Sequence, residues 1–104
     1  MPTDFNAILR QAQKMQKEVM ALQEDLKKRV VDGASGGGMV TAYVNGGREL
    51  VKIKIDKQVV DPADVDMLED LVLAAVASAM AKADEMVKEE MKKVTGGMNL
   101  PGMM

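Results

Sequence analysis

The sequence predicts an α+β protein in which two long helices flank three short antiparallel strands. Apolar residues recur at steps of three and four in the first and last thirds of the chain, and apolar and polar residues alternate between them. With 104 residues, 47% of them hydrophobic and 29% charged, the chain has the composition of one soluble domain. We expect a single domain over residues 1–104 in α-β-β-β-α order, with a flexible apolar tail at 98–104.

The first helix is predicted from about Thr3 to Arg29. Its apolar positions form a continuous seam of the kind that packs against another helix. The seam consists of Phe5, Ile8, Ala12, Met15, Val19, Leu22 and Leu26. The opposite face carries a broken basic stripe at Arg10, Lys14, Lys17 and Lys28. This stripe is either a solvated face or a surface that binds an anion.

Three short strands are predicted next, at Val30–Ser35, Met39–Asn45 and Glu49–Asp56. The sequence Asn45-Gly46-Gly47 indicates a hairpin turn between the second and the third. In the third strand, Val51, Ile53 and Ile55 are expected on one face and Lys52, Lys54 and Asp56 on the other. One face of the sheet should therefore meet water.

The run SGGGMV at residues 35–40 raises the question of a phosphate-binding loop. A phosphate-binding glycine loop usually leads into a helix and is followed by Lys and a hydroxyl residue. Here Met39, Val40 and Thr41 follow instead. The favoured interpretation is a bulged or flexible start of a strand, where glycine supplies unusual φ angles.

The second helix is predicted to begin at Asp61-Pro62, with Asp61 as the N-cap and Pro62 in the first turn, and to end near Thr95 before Gly96-Gly97. Five acidic residues crowd its start, at Asp61, Asp64, Asp66, Glu69 and Asp70. They could hold a hard cation, but helix capping and the helix dipole already explain them. We expect no metal site.

The lengths of the two helices predict a homodimer. At 1.5 Å per residue they extend about 40 Å and 50 Å, whereas a compact domain of this size is about 35 Å across. Their apolar seams would overhang the sheet, and a symmetric partner would cover them. The expected interface residues are Ile8, Met15, Leu22, Leu68, Ala75 and Ala79.

Composition excludes most catalytic classes. The chain has no His and no Cys, which removes the usual general base, thiol nucleophile and zinc ligands. No signal peptide or membrane-spanning run is present in the sequence, so we expect a cytoplasmic protein. Charge is uneven: residues 1–29 carry six basic and four acidic side chains, and residues 61–104 carry four and nine.

Several long motifs together resemble the YbaB/EbfC family of small bacterial nucleoid-associated proteins. They are RQAQKMQKEV, GGGMV, VNG, VVDPADVDMLEDLVLAAV and TGGMNLPG, in the order in which the family has them. The resemblance implies a tweezer-like homodimer in the nucleoid that binds double-stranded DNA through its helical arms, without an enzymatic step or a cofactor. It places DNA contacts at Arg10, Lys14 and Lys17, with further candidates at Lys27, Lys28 and Arg29.

Two functions from different classes follow from these expectations. The first is binding of double-stranded DNA, mainly through its phosphates, which contributes to nucleoid organisation and gene regulation. The second is a dimeric adaptor whose Met-rich arms and apolar tail recruit a replication, repair or recombination protein, with DNA binding secondary. Salt dependence distinguishes them, because phosphate contacts weaken steeply with salt and apolar contacts do not.

Overall fold

A computed structural model, which describes residues 4–95, shows the predicted α+β fold. Helix α1 spans Phe5–Lys28, and strands β1, β2 and β3 span Val30–Ser35, Val40–Asn45 and Leu50–Ile55. Helix α2 spans Val65–Thr95. The predicted start of α1 at Thr3, the glycine stop after α2 and the tail at 98–104 lie outside the described residues.

Local chemistry accounts for both ends of α1. The carboxylate of Asp4 accepts hydrogen bonds from the backbone N–H groups of Asn6 at 3.1 Å and Ala7 at 3.3 Å, which caps the first turn. Lys27 and Lys28 lie in the last turn, where positive charge is favourable at the negative end of the helix dipole. Arg29 then adopts extended backbone and leads directly into β1.

The three strands form one antiparallel sheet in the order β1-β2-β3. Helix α2 packs on one face of this sheet, across β1 and β2. The core consists of Val40, Ala42, Val44, Val59, Ala75, Ala79 and Ala83. Because the three alanines recur every four residues, they form a narrow stripe that lets the helix approach the sheet closely.

Gly33 in β1 is the point of closest approach. A Cβ atom at this position would collide with the backbone N of Ala79 and would come within 2.8 Å of the carbonyl oxygen of Ala75. Nearby, the hydroxyl of Ser35 donates to the carbonyl oxygen of Leu71 at 2.5 Å. These contacts place the first turns of α2 beside the end of β1.

Strand β3 differs from the prediction because it contains a bulge. Tyr43 pairs with Lys52 but Val44 pairs with Leu50, so Val51 is an extra residue without a partner in β2. The apolar set that shares a face with the core residues of β2 is therefore Leu50, Ile53 and Ile55, not the predicted set that includes Val51. All six residues of β3 are exposed, so both faces of this strand meet water in the protomer.

The predicted start of α2 at Asp61 is wrong. Asp64 N–H donates to the carbonyl oxygen of Asp61 at 2.9 Å, which closes a turn with Pro62 at its second position. The helix begins at Val65, and the carboxylate of Asp64 accepts a hydrogen bond from Met67 N–H at 3.2 Å. Asp64 is therefore the N-cap of α2. Pro62, whose ring fixes φ, lies in the turn before the helix and not in the first turn of the helix.

The helices reach far beyond the sheet. Helix α1 has 24 residues and α2 has 31, about 36 Å and 46 Å at the standard rise. The strands have six residues each, or about 20 Å. As a result the protomer is elongated, with extents of 75 × 22 × 16 Å. Within residues 4–95, no helix is long and apolar enough to cross a bilayer.

Candidate nucleic-acid interface

Helix α1 is joined to the rest of the protein most tightly near its C-terminal end. Leu26 is 1% exposed and is the one buried residue of the helix. Gly46, in the turn after β2, donates its N–H to the carbonyl oxygens of Leu26 at 3.0 Å and Arg29 at 3.2 Å. A Cβ on Gly46 would lie 2.5 Å from the same Leu26 oxygen, so this position requires glycine. The rest of α1 forms a projecting arm.

An ion-pair network stabilises the joint between the C-terminal end of α1 and the rest of the protein. The Arg29 guanidinium donates to Asp25 at 2.7 and 3.0 Å and to Glu90 of α2 at 2.9 Å, and Lys93 lies 3.3 Å from the same Glu90 oxygen. Hydrogen bonds from Arg29 and Lys93 lower the pKa of Glu90 below its ordinary value. Hydrogen bonds to Asp25 and Glu90 raise the pKa of Arg29. The network ties α1 to the overhanging part of α2.

The basic stripe lies along the projecting arm. Arg10, Lys14 and Lys17 are exposed and occupy successive turns of one face. Lys28 follows Arg10 by 18 residues, which is five full turns, so it lies on the same face. Among residues 4–95, none of these four side chains forms an ion pair. Their charges are available to an external anion.

The other two basic candidates differ from these four. Both carboxylates that bind Arg29 would compete with a phosphate for its guanidinium, so we assign Arg29 to the joint and not to a DNA surface. Lys27 lies 3.9 Å from Glu24, a distance at which two exposed charges attract only weakly. Lys27 therefore remains a candidate. The periodicity of the sequence could not reveal the role of Arg29, because Glu90 lies 61 residues away.

The acidic start of α2 lies far from the arm. The acidic residues from Asp61 to Asp70 come just before Leu71, and Leu71 contacts the end of β1. Helix α1 instead joins the start of β1, at Arg29. The length of β1 separates the two regions by about 20 Å, more than twice the Debye length of about 8 Å at physiological salt. Salt therefore screens these acids from an anion bound along the arm. In the described residues, no cluster of acidic side chains is arranged to hold a metal ion.

The glycine run forms the turn that connects β1 to β2. Gly36–Gly38 is a short 3-10 turn, and Gly37 has a φ of 67°, in the left-handed region that favours glycine. A Cβ on Gly37 would meet nothing within 4 Å. No helix starts at this turn, since β2 follows. The turn therefore lacks the helix N-terminus of a phosphate-binding loop.

The structure divides the residues predicted for a dimer interface. Ala75 and Ala79 are 0% exposed because the sheet of their own protomer covers them, so they cannot contact a second copy and this part of the prediction is wrong. Ile8 is half exposed, while Met15, Leu22 and Leu68 are half-buried. The sequence-based prediction did not include Leu50 and Leu73, which are large, apolar and exposed.

These features define a class of small α+β proteins in which a three-stranded sheet carries a long, basic helical arm. The chain belongs to the YbaB/EbfC DNA-binding family, whose sequence pattern matches residues 1–98.

Individual relatives agree with this assignment. A nucleoid-associated protein of Caldanaerobacter subterraneus subsp. tengcongensis is 53% identical over 100 residues, which cover 96% of this chain and 90% of the relative. A nucleoid-associated protein of Acetivibrio thermocellus is 48% identical over 101 residues, 96% of this chain and 89% of the relative. The crystal structure of an uncharacterized protein from Helicobacter pylori superposes with a TM-score of 0.61 and 28% identity, over 85% of this chain and 98% of that one.

Proposed function

We propose that this protein binds double-stranded DNA as a homodimer, mainly through the phosphates, and thereby contributes to nucleoid organisation and gene regulation. The observation that carries the proposal is the row of exposed basic side chains at Arg10, Lys14, Lys17 and Lys28, none of which forms an ion pair within residues 4–95. Membership of a DNA-binding family and the names of its nucleoid-associated relatives support it. No reaction is proposed, because the chain has neither His nor Cys.

The dimensions of the stripe suit a DNA backbone. Arg10 and Lys28 are 18 residues apart, or about 27 Å along the helix axis. Consecutive phosphates on one strand of B-DNA rise about 3.4 Å along the duplex axis, so the stripe extends over about eight base pairs. Lysine and arginine side chains are long and flexible enough to reach phosphates over such a span. Contacts of this kind do not read sequence directly, so we propose little base specificity.

A homodimer would present two such arms to one duplex. Each arm would neutralise several phosphates and release counterions, and two linked arms would bind more tightly than one because the second contact is intramolecular. The proposed location is the cytoplasm, on the nucleoid. The separation of the arm from the acidic start of α2 favours this arrangement, since salt then screens the repulsion between those acids and the DNA.

The test is the combined variant Arg10→Gln, Lys14→Gln and Lys17→Gln. Glutamine keeps a long polar side chain and good helix propensity while it removes three charges per protomer. If all six charges of a dimer contact phosphates, the slope of log affinity against log salt becomes shallower by about 5, at roughly 0.9 per phosphate. Affinity at low salt should fall by a similar amount on unrelated DNA sequences. Binding is measured by fluorescence anisotropy across a salt series.

A matched control removes three charges elsewhere. Lys54, Lys57 and Lys82 are exposed and lie outside α1, so their replacement by Gln changes the net charge equally. This control variant should keep the salt slope of the parent, whereas a general charge effect would reduce the slopes of both variants. Circular dichroism confirms the fold of each variant. Unchanged DNA affinity in the α1 variant would show that the stripe is only a solvated face.

One observation favours the adaptor as a second candidate function. Phe5, Ile8 and Leu9 lie on the arm and are 72%, 50% and 46% exposed, which is unusual for three neighbouring large apolar residues. A partner protein that docks on them would bind by apolar contacts with little dependence on salt. Replacement of Phe5 and Ile8 by Ser would then abolish that binding and leave the DNA salt slope unchanged.

A further inference from the structure

A small groove lies at the joint between α1 and the rest of the protein. Its apolar lining consists of Leu26 of α1 and of Val87 and Met91, which are one turn apart on α2. Gly46 and Gly47, in the turn between β2 and β3, line it without side chains. The volume is about 270 Å³, smaller than the roughly 300–1,000 Å³ of typical small-molecule sites. The groove therefore suits apolar side chains of a peptide segment better than a free ligand.

Polar side chains complete the lining, at Gln23, Lys27 and Arg48. Arg48 also forms an ion pair of 3.4 Å with Asp84 of α2. Because Asp84 precedes Val87 in α2, this ion pair lies at the end of the groove that is farther from the C-terminus of the helix. The opposite end of the groove lies nearer the last residue of α2, Thr95.

The chain that follows Thr95 has the composition of a segment that fits such a groove. It comprises nine residues without a charge, and four of them have large apolar side chains, at Met98, Leu100, Met103 and Met104. Its burial would therefore remove no ionic group from water. Gly96 and Gly97 come first, and glycine after a helix commonly turns the chain back on itself.

We propose that Met98 and Leu100 bind in this groove of their own protomer, so that the segment after α2 covers the joint. Met91 and Val87 lie about 6 Å and 12 Å before Thr95 along the helix axis. After a reversal at the two glycines, three extended residues cover about 10 Å, which brings Leu100 between Met91 and Val87. The proposal goes beyond the proposed function and depends neither on DNA nor on a second copy.

The tether favours this segment over other occupants. A segment attached a few residues from its site has an effective concentration on the order of millimolar, so even a weak intrinsic affinity fills the site. A separate partner protein would have to displace it. Residues 1–3 cannot compete, because Phe5 lies about 27 Å from Gln23 along α1 and three residues reach only about 10 Å.

Binding of the segment would stabilise the joint that carries the basic arm. Leu100 would pack against Leu26 beside the hydrogen bond of 3.0 Å from Gly46 N–H to the Leu26 carbonyl oxygen. Opening of the joint would then require release of the segment. Apolar side chains engaged in this way would no longer be available to recruit another protein.

Introduced cysteines test the contact without interference, because the chain has none of its own. Gln23→Cys with Asn99→Cys keeps both Met98 and Leu100, and a disulfide requires the two Cα atoms to approach within about 7 Å. Glu89→Cys with Asn99→Cys is the matched control. Glu89 is exposed and about 9 Å before Thr95, but it lies about 200° around the helix from both Val87 and Met91, on the opposite face.

We expect the Gln23 pair to form its disulfide at least about tenfold faster than the Glu89 pair in a glutathione redox buffer, as measured on non-reducing gels. Leu100→Ser, added to the Gln23 pair, should slow the reaction to the rate of the control. Equal rates for the two pairs, no disulfide in the Gln23 pair, or a disulfide that joins two copies would each overturn docking within the protomer.

Hydrogen exchange at the Gly46 amide provides a measurement without cysteines. Leu100→Ser should speed this exchange about tenfold, because the joint then opens more often. Asn99→Ser changes the neighbouring polar residue and should leave the exchange rate of the parent unchanged. The same Gly46 exchange rate in Leu100→Ser and in the parent would overturn the proposal. Both measurements are made without DNA, so their outcome is independent of the proposed function.

Discussion

Arg29 at the end of α1 donates a hydrogen bond of 2.9 Å to Glu90 of α2, across 61 residues of sequence. This contact lies where α1 joins the rest of the protein. The same guanidinium also holds Asp25, one turn earlier in α1. The pair therefore connects the proposed DNA-binding arm to the helix that packs on the sheet.

From the Arg29–Glu90 contact we expect that part of the protein's loss of stability in acid comes from protonation of Glu90. The pKa of Glu90 is lowered from its ordinary value of 4.5, first by the hydrogen bond from Arg29 and then by that from Lys93. A carboxylate with a lowered folded-state pKa stabilises the protein above pH 4.5, and this contribution is lost as the pH falls through the lowered pKa. Glu90→Gln should therefore reduce stability near pH 7 and flatten its decline below pH 4.5.

The measurement is chemical denaturation of the parent and the variant at a series of pH values. Glu89→Gln is a suitable control, since Glu89 contacts only Lys92, at 3.7 Å, among the ion pairs found in residues 4–95. If the parent and Glu90→Gln curves run parallel between pH 3 and pH 7, Glu90 does not contribute to the acid dependence.

Replacement by alanine should destabilise the protein at Gly33 and at Gly37, for different reasons. At Gly33 a methyl group meets the backbone of α2, which cannot move away as a side chain could, so Gly33→Ala should destabilise by about 3 kcal/mol. At Gly37 the methyl group has room, but the φ of 67° is unfavourable for alanine, so Gly37→Ala should cost about 1 kcal/mol. Thermal or urea denaturation measures both losses.

DNA binding by the folded Gly37→Ala protein tests the role of the glycine turn. We expect affinity equal to that of the parent, because the turn connects two strands and does not precede a helix. A stable Gly37→Ala protein without DNA affinity would show instead that the turn binds phosphate.

The position of the N-cap gives a further prediction. Asp64 accepts the capping hydrogen bond from Met67, so Asp64→Ala should destabilise by about 1 kcal/mol. Asp61 accepts a hydrogen bond from Ala63 within the preceding turn and does not contact the helix, so Asp61→Ala should cost less. Urea denaturation compares the two variants. An equal or larger loss at Asp61 would place the start of the helix where the sequence pattern had suggested.

The order of helices and strands could be predicted from local patterns of apolar and polar residues in the sequence. The strand prediction for Val30–Ser35 is confirmed at both ends, and the predicted limits of α1, β2 and β3 that fall in the described part are correct to within one residue. These patterns work because helix and strand periodicity depend on neighbours within a few residues. The error at Asp61 arose because Asp-Pro fits a helix start and a turn equally well.

The sequence by itself determined the α-β-β-β-α order, the basic stripe at Arg10, Lys14 and Lys17 and the lack of His and Cys. The tertiary structure decided which side chains are free to act. It pairs Arg29 with Glu90, buries Ala75 and Ala79 against the sheet, and leaves Ile53 exposed although its partner in β2, Ala42, is buried. Periodicity identifies an apolar or charged face, but the covering of that face depends on where distant segments pack, and here α2 packs mainly over β1 and β2.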